Sequence, residues 1–418
     1  MTAAAADRGP AAPAPAPDHS PGAPAPADPL VEAVARIRGW GEARAWQGYD
    51  PYDGLNSPLA RLVPGVLPRR ALTQAVKLSP LNLRPLLGIR PAYNQKAIGL
   101  VASAYARLGE REHATRWLDW LCANRADAPP GSRAGAPPPW AWAYNFPVQT
   151  RVFAYPPNSA NTIATSFVAH GFLDAAEHLD AARWEEPIRG ACGFLVEHML
   201  VRQPGRSFFR YIPGDDQLIH NATALAAAVL ARAARLYGDD ALADPAREAL
   251  APTLAAQRGD GTWPYAEGSH AWVDNFHTGY VLMALTHFPE AAGHLARGVA
   301  VWERELFLAD GTPKYYAGST YPIDGHCYAQ AVETWGAVGK LAEARREAEL
   351  MVERMLDPAG FLWFQQRGRI TNRVSFIRWT TAPALQAIAG LLRAERTAAE
   401  RTAAERTVAD ATPVQVTP

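Results

Sequence analysis

Apolar positions recur along this chain in two alternating styles. In the first, apolar residues return at i, i+3 and i+4 among charges, as in "PLVEAVARIRGWGEARAW", "REHATRWLDWLCANR" and "AARWEEPIRGACGFLVEHML". "ALADPAREALAPTLAAQ", "EAAGHLARGVAVWERELF" and "KLAEARREAELMVERML" repeat it. Such segments predict helices with one face in water. In the second style the segment is small, apolar and nearly free of charge: "NQKAIGLVASAYARL", "NTIATSFVAHGFLDAA", "HNATALAAAVLARAARL", "NFHTGYVLMALTHF", "HCYAQAVETWGAV" and "RWTTAPALQAIAGLL". A helix apolar all round is buried on all sides.

The two styles alternate six times. The buried set starts near Asn94, Asn161, His220, Asn275, His326 and Arg378, a spacing of about 50 to 65 residues that fits a repeated helical hairpin. The connectors repeat too: "GRSFFRY", "GDGTWPY", "DGTPKYY" and "AGFLWFQ" each set aromatics just after a glycine turn. Six outer and six inner helices predict an all-α fold, an (α/α)6 toroid. The alternative, an open solenoid of helix pairs, would need polar caps at its ends. The expected organisation is a leader over 1–28, one toroid domain over 29–393 and a charged helical extension with a disordered tail over 394–418.

In a closed ring the inner helices run parallel, so their N-termini gather at one end. Each brings partial positive charge and unpaired N–H groups, which favour anions. The outer-to-inner connectors arrive at the same mouth. One sector offers Tyr93, Asn94 and Lys96; the longest connector offers Trp142, Tyr144, Tyr155 and Asn161. The next sectors bring Tyr211, His220 and Asn221, then Trp263, Tyr265, Trp272, Asp274, Asn275 and His277. The last bring Tyr315, Tyr316, Asp324 and His326, with Arg378 and Trp379. Flat aromatic faces beside Asn, Asp, His and Arg suit a sugar chain.

Composition narrows the partners. Lys plus Arg and Asp plus Glu both number 41, so net charge gives no general attraction to nucleic acid or acidic membranes. Three scattered cysteines build neither a disulfide framework nor a zinc site. No run reaches the roughly 18 to 20 apolar residues of a membrane span. The Ala/Pro-rich N-terminus lacks the pattern of a signal peptide and reads as a disordered leader, so a cytoplasmic location is expected. No cofactor is expected.

With six hairpins and the closing "FIRWTTAPALQAIAGLL", residues from about Pro29 to Arg393 resemble the six-hairpin glycosidase-like superfamily. That superfamily includes uronate polysaccharide lyases, glucuronyl C5-epimerases and unsaturated-uronyl hydrolases. "WQGYDPYDGLNS" resembles proteins associated with bacterial polysaccharide production. "LAAQRGDGTW" is similar to the QW motif of squalene and terpene cyclases, a second toroid family. The chain has no DxDD, the acid with which class II cyclases start their reaction.

Three histidines stand at successive inner-helix entrances: His220, His277 and His326. A neutral imidazole there could take the proton alpha to a carboxylate, with helix N-termini holding its pKa down. The resemblance and the residue types together imply an enzyme that abstracts the C5 proton of a uronate, as a lyase or epimerase. His220 or His277 would be the base, Tyr265 the acid, and Asn275 with Arg378 the carboxylate clamp. Three alternatives stand beside this reading: hydrolysis by Asp274 and Asp324 as acid and base, glycan binding without turnover, and a terpene-cyclase-like toroid. Asp274 and Asp324 also suit N-caps, as do Asn161, Asn221 and Asn275. No HxH or HxxxH spacing links the three histidines, so no metal site is expected.

Overall fold

The computed structural model describes residues 28–411, apart from 130, 134 and 136. The expected leader, save Asp28, and the end of the expected tail lie outside the described residues.

Six inner helices form where the apolar segments predict them: α3 (Gln95–Leu108), α5 (Thr162–His178), α7 (His220–Tyr237), α9 (Asn275–Leu285), α11 (Gly325–Ala337) and α13 (Ala382–Ala411). The six outer helices are α1 (Pro29–Glu42), α4 (Arg111–Ala123), α6 (Glu185–Phe194), α8 (Asp240–Ala255), α10 (Ala292–Glu305) and α12 (Leu341–Met355). Each inner helix packs on the next, and α13 packs on α3, so the ring is closed and the solenoid alternative falls away. Small residues set the closeness of these contacts. A Cβ on Gly171 of α5 would lie 2.6 Å from the carbonyl oxygen of Gly99 on α3.

All six inner helices run the same way. The starts of the first five and the turn leading into α13 line one cavity, and the last turns of those five with the middle of α13 line another at the opposite end. Polar side chains start four of them. The side-chain oxygens of Asn94, Asn161, Asp274 and Asp324 accept backbone N–H groups of the first turn of α3, α5, α9 and α11. That satisfies donors a helix cannot use internally. The last turns carry an ion network instead. Asp174 of α5 meets Arg107 of α3 at 3.0 Å and Arg232 of α7 at 2.7 Å, and Arg107 also meets Glu333 of α11 at 2.6 Å. Burial alone would raise the Asp174 carboxyl, but the two guanidinium groups outweigh it and hold it well below the usual carboxylate range.

The QW-like stretch braces the outer layer. Gln257 donates to the carbonyl of His294 at 3.0 Å, tying the end of α8 to α10, and Trp263 donates to the carbonyl of Thr253 at 2.8 Å.

One helix has no counterpart in the sequence reading. α2 (Val66–Leu78) lies in a lobe formed by residues 50–90. Ser57 donates to the carbonyl of Leu87 at 2.6 Å, and Arg84 meets Asp53 at 2.7 Å, closing the lobe on itself. Short antiparallel pairs complete the ring's upper end: β1 (Val148–Gln149) with β2 (Ala154–Tyr155), β3 (Leu200–Gln203) with β4 (Arg206–Phe209), and β5 (Ile323–Asp324) with β6 (Gln365–Arg367) and β7 (Ile370–Asn372).

Candidate active site

The mouth is a cavity of about 550 Å³. Five inner helices contribute from their starts, with Lys96, Ile163, Asn221, His277 and His326, and Arg378 comes from the turn that leads into α13. Tyr144, Tyr155, Tyr211, Tyr265, Trp272, Tyr315, Tyr316 and Trp379 form much of the aromatic wall, as expected. The structure adds residues the sequence reading passed over: Tyr52 before α2, Arg70, Gln74 and Lys77 on α2, Arg151 on the β1–β2 turn, and Phe276 and Tyr280 on α9.

Among the described residues, Asp274 and His277 form a dyad with an open end. Asp274 caps α9 through Oδ1, 3.0 Å from the His277 backbone N–H, and its Oδ2 lies 2.7 Å from His277 Nδ1. Trp272 Nε1 donates to the same Oδ2 at 3.1 Å. A carboxylate there accepts, so Nδ1 carries the hydrogen, and the neutral imidazole keeps its lone pair on Nε2. Tyr265 stacks on Trp272 with ring centroids 4.5 Å apart and tilts against His277 at 4.6 Å.

His326 is tied at both ends. Its Nδ1 lies 2.7 Å from the carbonyl of Trp379, which can only accept, so Nε2 accepts the Tyr280 hydroxyl at 2.6 Å. Burial first, then the charge of Lys96, pushes its pKa well below the ordinary imidazole value. It orients Tyr280 and Trp379 and has no nitrogen left for a proton in flight.

His220 faces away from the mouth. It sits behind the wall in a crevice with Trp263, Tyr265 and His277, its Nδ1 3.2 Å from Thr253 Oγ1. Burial lowers its pKa to about 4. Asp324 is enclosed as well. It accepts from the His326 backbone N–H at 2.8 Å, from Trp379 Nε1 at 3.1 Å and from the Gln365 amide, and burial raises its carboxyl to about 6. It does not line the cavity, so it does not form the expected acid–base pair with Asp274 there.

Five more expected wall residues turn out to build the scaffold. Asn94 and Asn161 are spent as caps. Asn275 is turned outward, donating to the carbonyl of Leu306 at 2.9 Å, so it cannot clamp a carboxylate in the mouth. Trp142 is fully buried and donates to the carbonyl of Leu121 at 3.0 Å; Trp263 is buried against Gly298.

Arg378 lines the cavity but is itself held. Asp50 takes its Nε and, at 2.8 Å, one Nη, and its guanidinium lies 4.7 Å from the centroid of Tyr144. The stretch "WQGYDPYDGLNS" is thereby explained: Asp50 fixes Arg378, Asp53 fixes Arg84, and Tyr52 enters the cavity, where Lys77 donates to its hydroxyl at 2.9 Å. Lys96 is buried, 3.6 Å from the centroid of Phe167, and burial, then Arg378, hold its pKa well below the usual ammonium value.

The charge balance of the wall is one-sided. Arg70, Lys77 and Arg151 line it, with Arg378 paired to Asp50 behind it, and Asp274 is its carboxylate among the described residues. Six helix N-termini add to the same sign. Burial pushes the Tyr155, Tyr211, Tyr280 and Tyr315 phenols well above their ordinary values, so they remain O–H donors. Among the described residues no cluster of His, Cys, Asp and Glu is arranged to hold a metal ion.

The closed ring of six hairpins with its aromatic mouth places the chain in the α/α-toroid fold that the six-hairpin glycosidase-like proteins share. Solved structures of that fold align over most of its length. A family 76 glycoside hydrolase from a bovine Bacteroides thetaiotaomicron strain aligns with a TM-score of 0.57 at 10% identity, over 88% of this chain and 78% of that one. An unsaturated glucuronyl hydrolase specific for heparin aligns with a TM-score of 0.56 at 11% identity, over 89% and 97%. Cellobiose 2-epimerase from Bacillus thermoamylovorans aligns with a TM-score of 0.54 at 11% identity, over 73% and 90%. No protein-family model and no curated protein sequence matches the chain.

Proposed function

We propose that the protein is an enzyme of acidic saccharides that removes the proton at C5 of a uronate. The observation that carries this reading is the Asp274–His277 contact of 2.7 Å in a basic cavity. Asp274 holds the imidazole by Nδ1 and leaves Nε2 to accept a proton. Arg378, Lys77 and Arg151 would attract the uronate carboxylate, and neutralising it lowers the cost of charge building up beside it. The Tyr265 hydroxyl, on the ring packed against His277, would protonate the leaving oxygen in elimination or the opposite face of C5 in epimerisation. Trp272 offers the sugar a flat face. The fold is shared with a hydrolase named for glucuronyl groups and with a sugar epimerase, which fits a saccharide substrate.

Hydrolysis by two carboxylates is less well supported, because Asp324 is enclosed by donors away from the cavity. The test is incubation with a panel of uronate polymers in heavy water. Solvent deuterium at C5, or new unsaturated chain ends, is expected from the native enzyme and not from His277→Asn. Release of ordinary reducing ends with neither signal would overturn the reading.

A further inference from the structure

The net charge of zero hides a segregated segment. Between Asp53 and Glu110 there is no acidic residue, while Arg61, Arg69, Arg70, Lys77, Arg84 and Arg90 fall within it by residue 90. This is the lobe that carries α2, and it also holds most of the protein's exposed large apolar side chains. Leu62, Leu67, Leu81 and Leu86 are 78%, 73%, 71% and 83% exposed, and Leu59, Val66 and Leu78 join them. Thr73 and Val76 turn inward and are buried, and Gly54 packs closely against them. The exposed leucines are therefore left over after the lobe has satisfied its own core. Arg84 is spent inside the lobe on Asp53, but Arg61 and Arg90 are exposed, and apolar side chains held in water beside them mark a surface that meets something apolar and anionic.

A groove beside the lobe has the same chemistry. It encloses about 580 Å³ between Trp40, Tyr49, Pro80, Leu81 and Phe361. Its charged lining residues are Arg44 and Arg373, and no acidic side chain lines it among the described residues. Both guanidinium groups stack on tryptophans, Arg44 over Trp40 at 4.5 Å and Arg373 over Trp363 at 4.3 Å. Apolar walls under two arginines fit an acyl chain below an anionic headgroup.

We propose that the lobe of residues 50–90 docks on an anionic bilayer surface, with the Arg44–Arg373 groove taking one anionic lipid. The leucines enter the boundary between headgroups and acyl chains, and Arg61, Arg69 and Arg90 meet the headgroups. No described helix is long and apolar enough to cross a membrane, so the contact is peripheral. Arg70, Gln74 and Lys77 on the same helix line the mouth, which sets the mouth beside the bilayer.

The test is sedimentation of the full-length chain with vesicles of phosphatidylglycerol and phosphatidylcholine, against phosphatidylcholine alone. Binding to the anionic vesicles is expected, weakening as salt rises. The double substitution L67E/L81E changes only exposed positions and should keep the native melting temperature while weakening binding about tenfold or more. R44Q/R373Q should remove most of the preference for the anionic lipid. No binding to anionic vesicles at low salt, or unchanged binding by a folded L67E/L81E, overturns the proposal. So does a dimer that L67E/L81E dissociates when vesicles recruit nothing. None of these readings involves turnover, so they stand apart from the assignment of His277.

Discussion

Asp274 does two jobs with its two oxygens: one caps α9 at the His277 backbone N–H, 3.0 Å away, and the other holds the His277 ring at 2.7 Å. The helix start and the imidazole are therefore positioned by the same side chain. His277→Asn should lower turnover on the active uronate polymer by about 10²- to 10⁴-fold, the usual worth of a general base, with little change in melting temperature. Asp274→Ala should lose activity and also about 1 kcal/mol of stability through the lost cap. Steady-state kinetics and thermal melts on the two variants separate the roles.

Trp272 stacks on Tyr265 and lies under Arg151, whose guanidinium is 4.0 Å from its ring. Trp272→Ala should raise KM about two- to twelvefold by removing an aromatic contact worth about 0.5–1.5 kcal/mol. Lys77→Met should also raise KM, and its effect should shrink as salt screens the cavity's field. Initial rates over a range of saccharide and salt concentrations check both.

His220 is buried neutral, with a pKa of about 4 against about 6.5 in the unfolded chain. Between those values the unfolded state binds the proton and the folded state does not, so stability falls as pH falls through that window. His220→Gln has no such group. The stability of the native chain relative to this variant should therefore drop by about 3 kcal/mol between pH 7 and pH 4. Denaturant titrations of both proteins at several pH values give the difference directly.

At the far end of the ring, Asp174 joins Arg107 and Arg232. Asp174→Ala removes one carboxylate shared by two buried guanidinium groups, leaving Arg107 with Glu333 and Arg232 with Glu177, and should cost about 1–3 kcal/mol. The mouth is unaffected, so kcat/KM of the folded fraction should remain native. Chemical denaturation and kinetics below the unfolding midpoint test the separation.

Much of this architecture was legible before any coordinates. Apolar character all round marked the six inner helices, and Asn94, Asn161, Asp274 and Asp324 marked starts at the positions where they cap. Which way each starting residue points was not legible. Successive helical residues turn by about 100°, so Asn275 faces α10 while His277, two places on, faces the cavity. Trp142 and Trp263 went to the core because their indole N–H groups find backbone carbonyls there. α2 escaped notice because its apolar residues do not all share a buried face and prolines interrupt its surroundings. A run without acids was the signal that marked it.

The ring closes only when α13 meets α3, and Arg378 reaches its partner Asp50 across 328 residues. A nascent chain on the ribosome thus carries five complete hairpins with a gap between the first and the last. Contacts so distant in sequence form slowly, and until they do the half-built mouth exposes its aromatic wall. A truncation before residue 378 should consequently leave a chaperone client rather than a smaller enzyme.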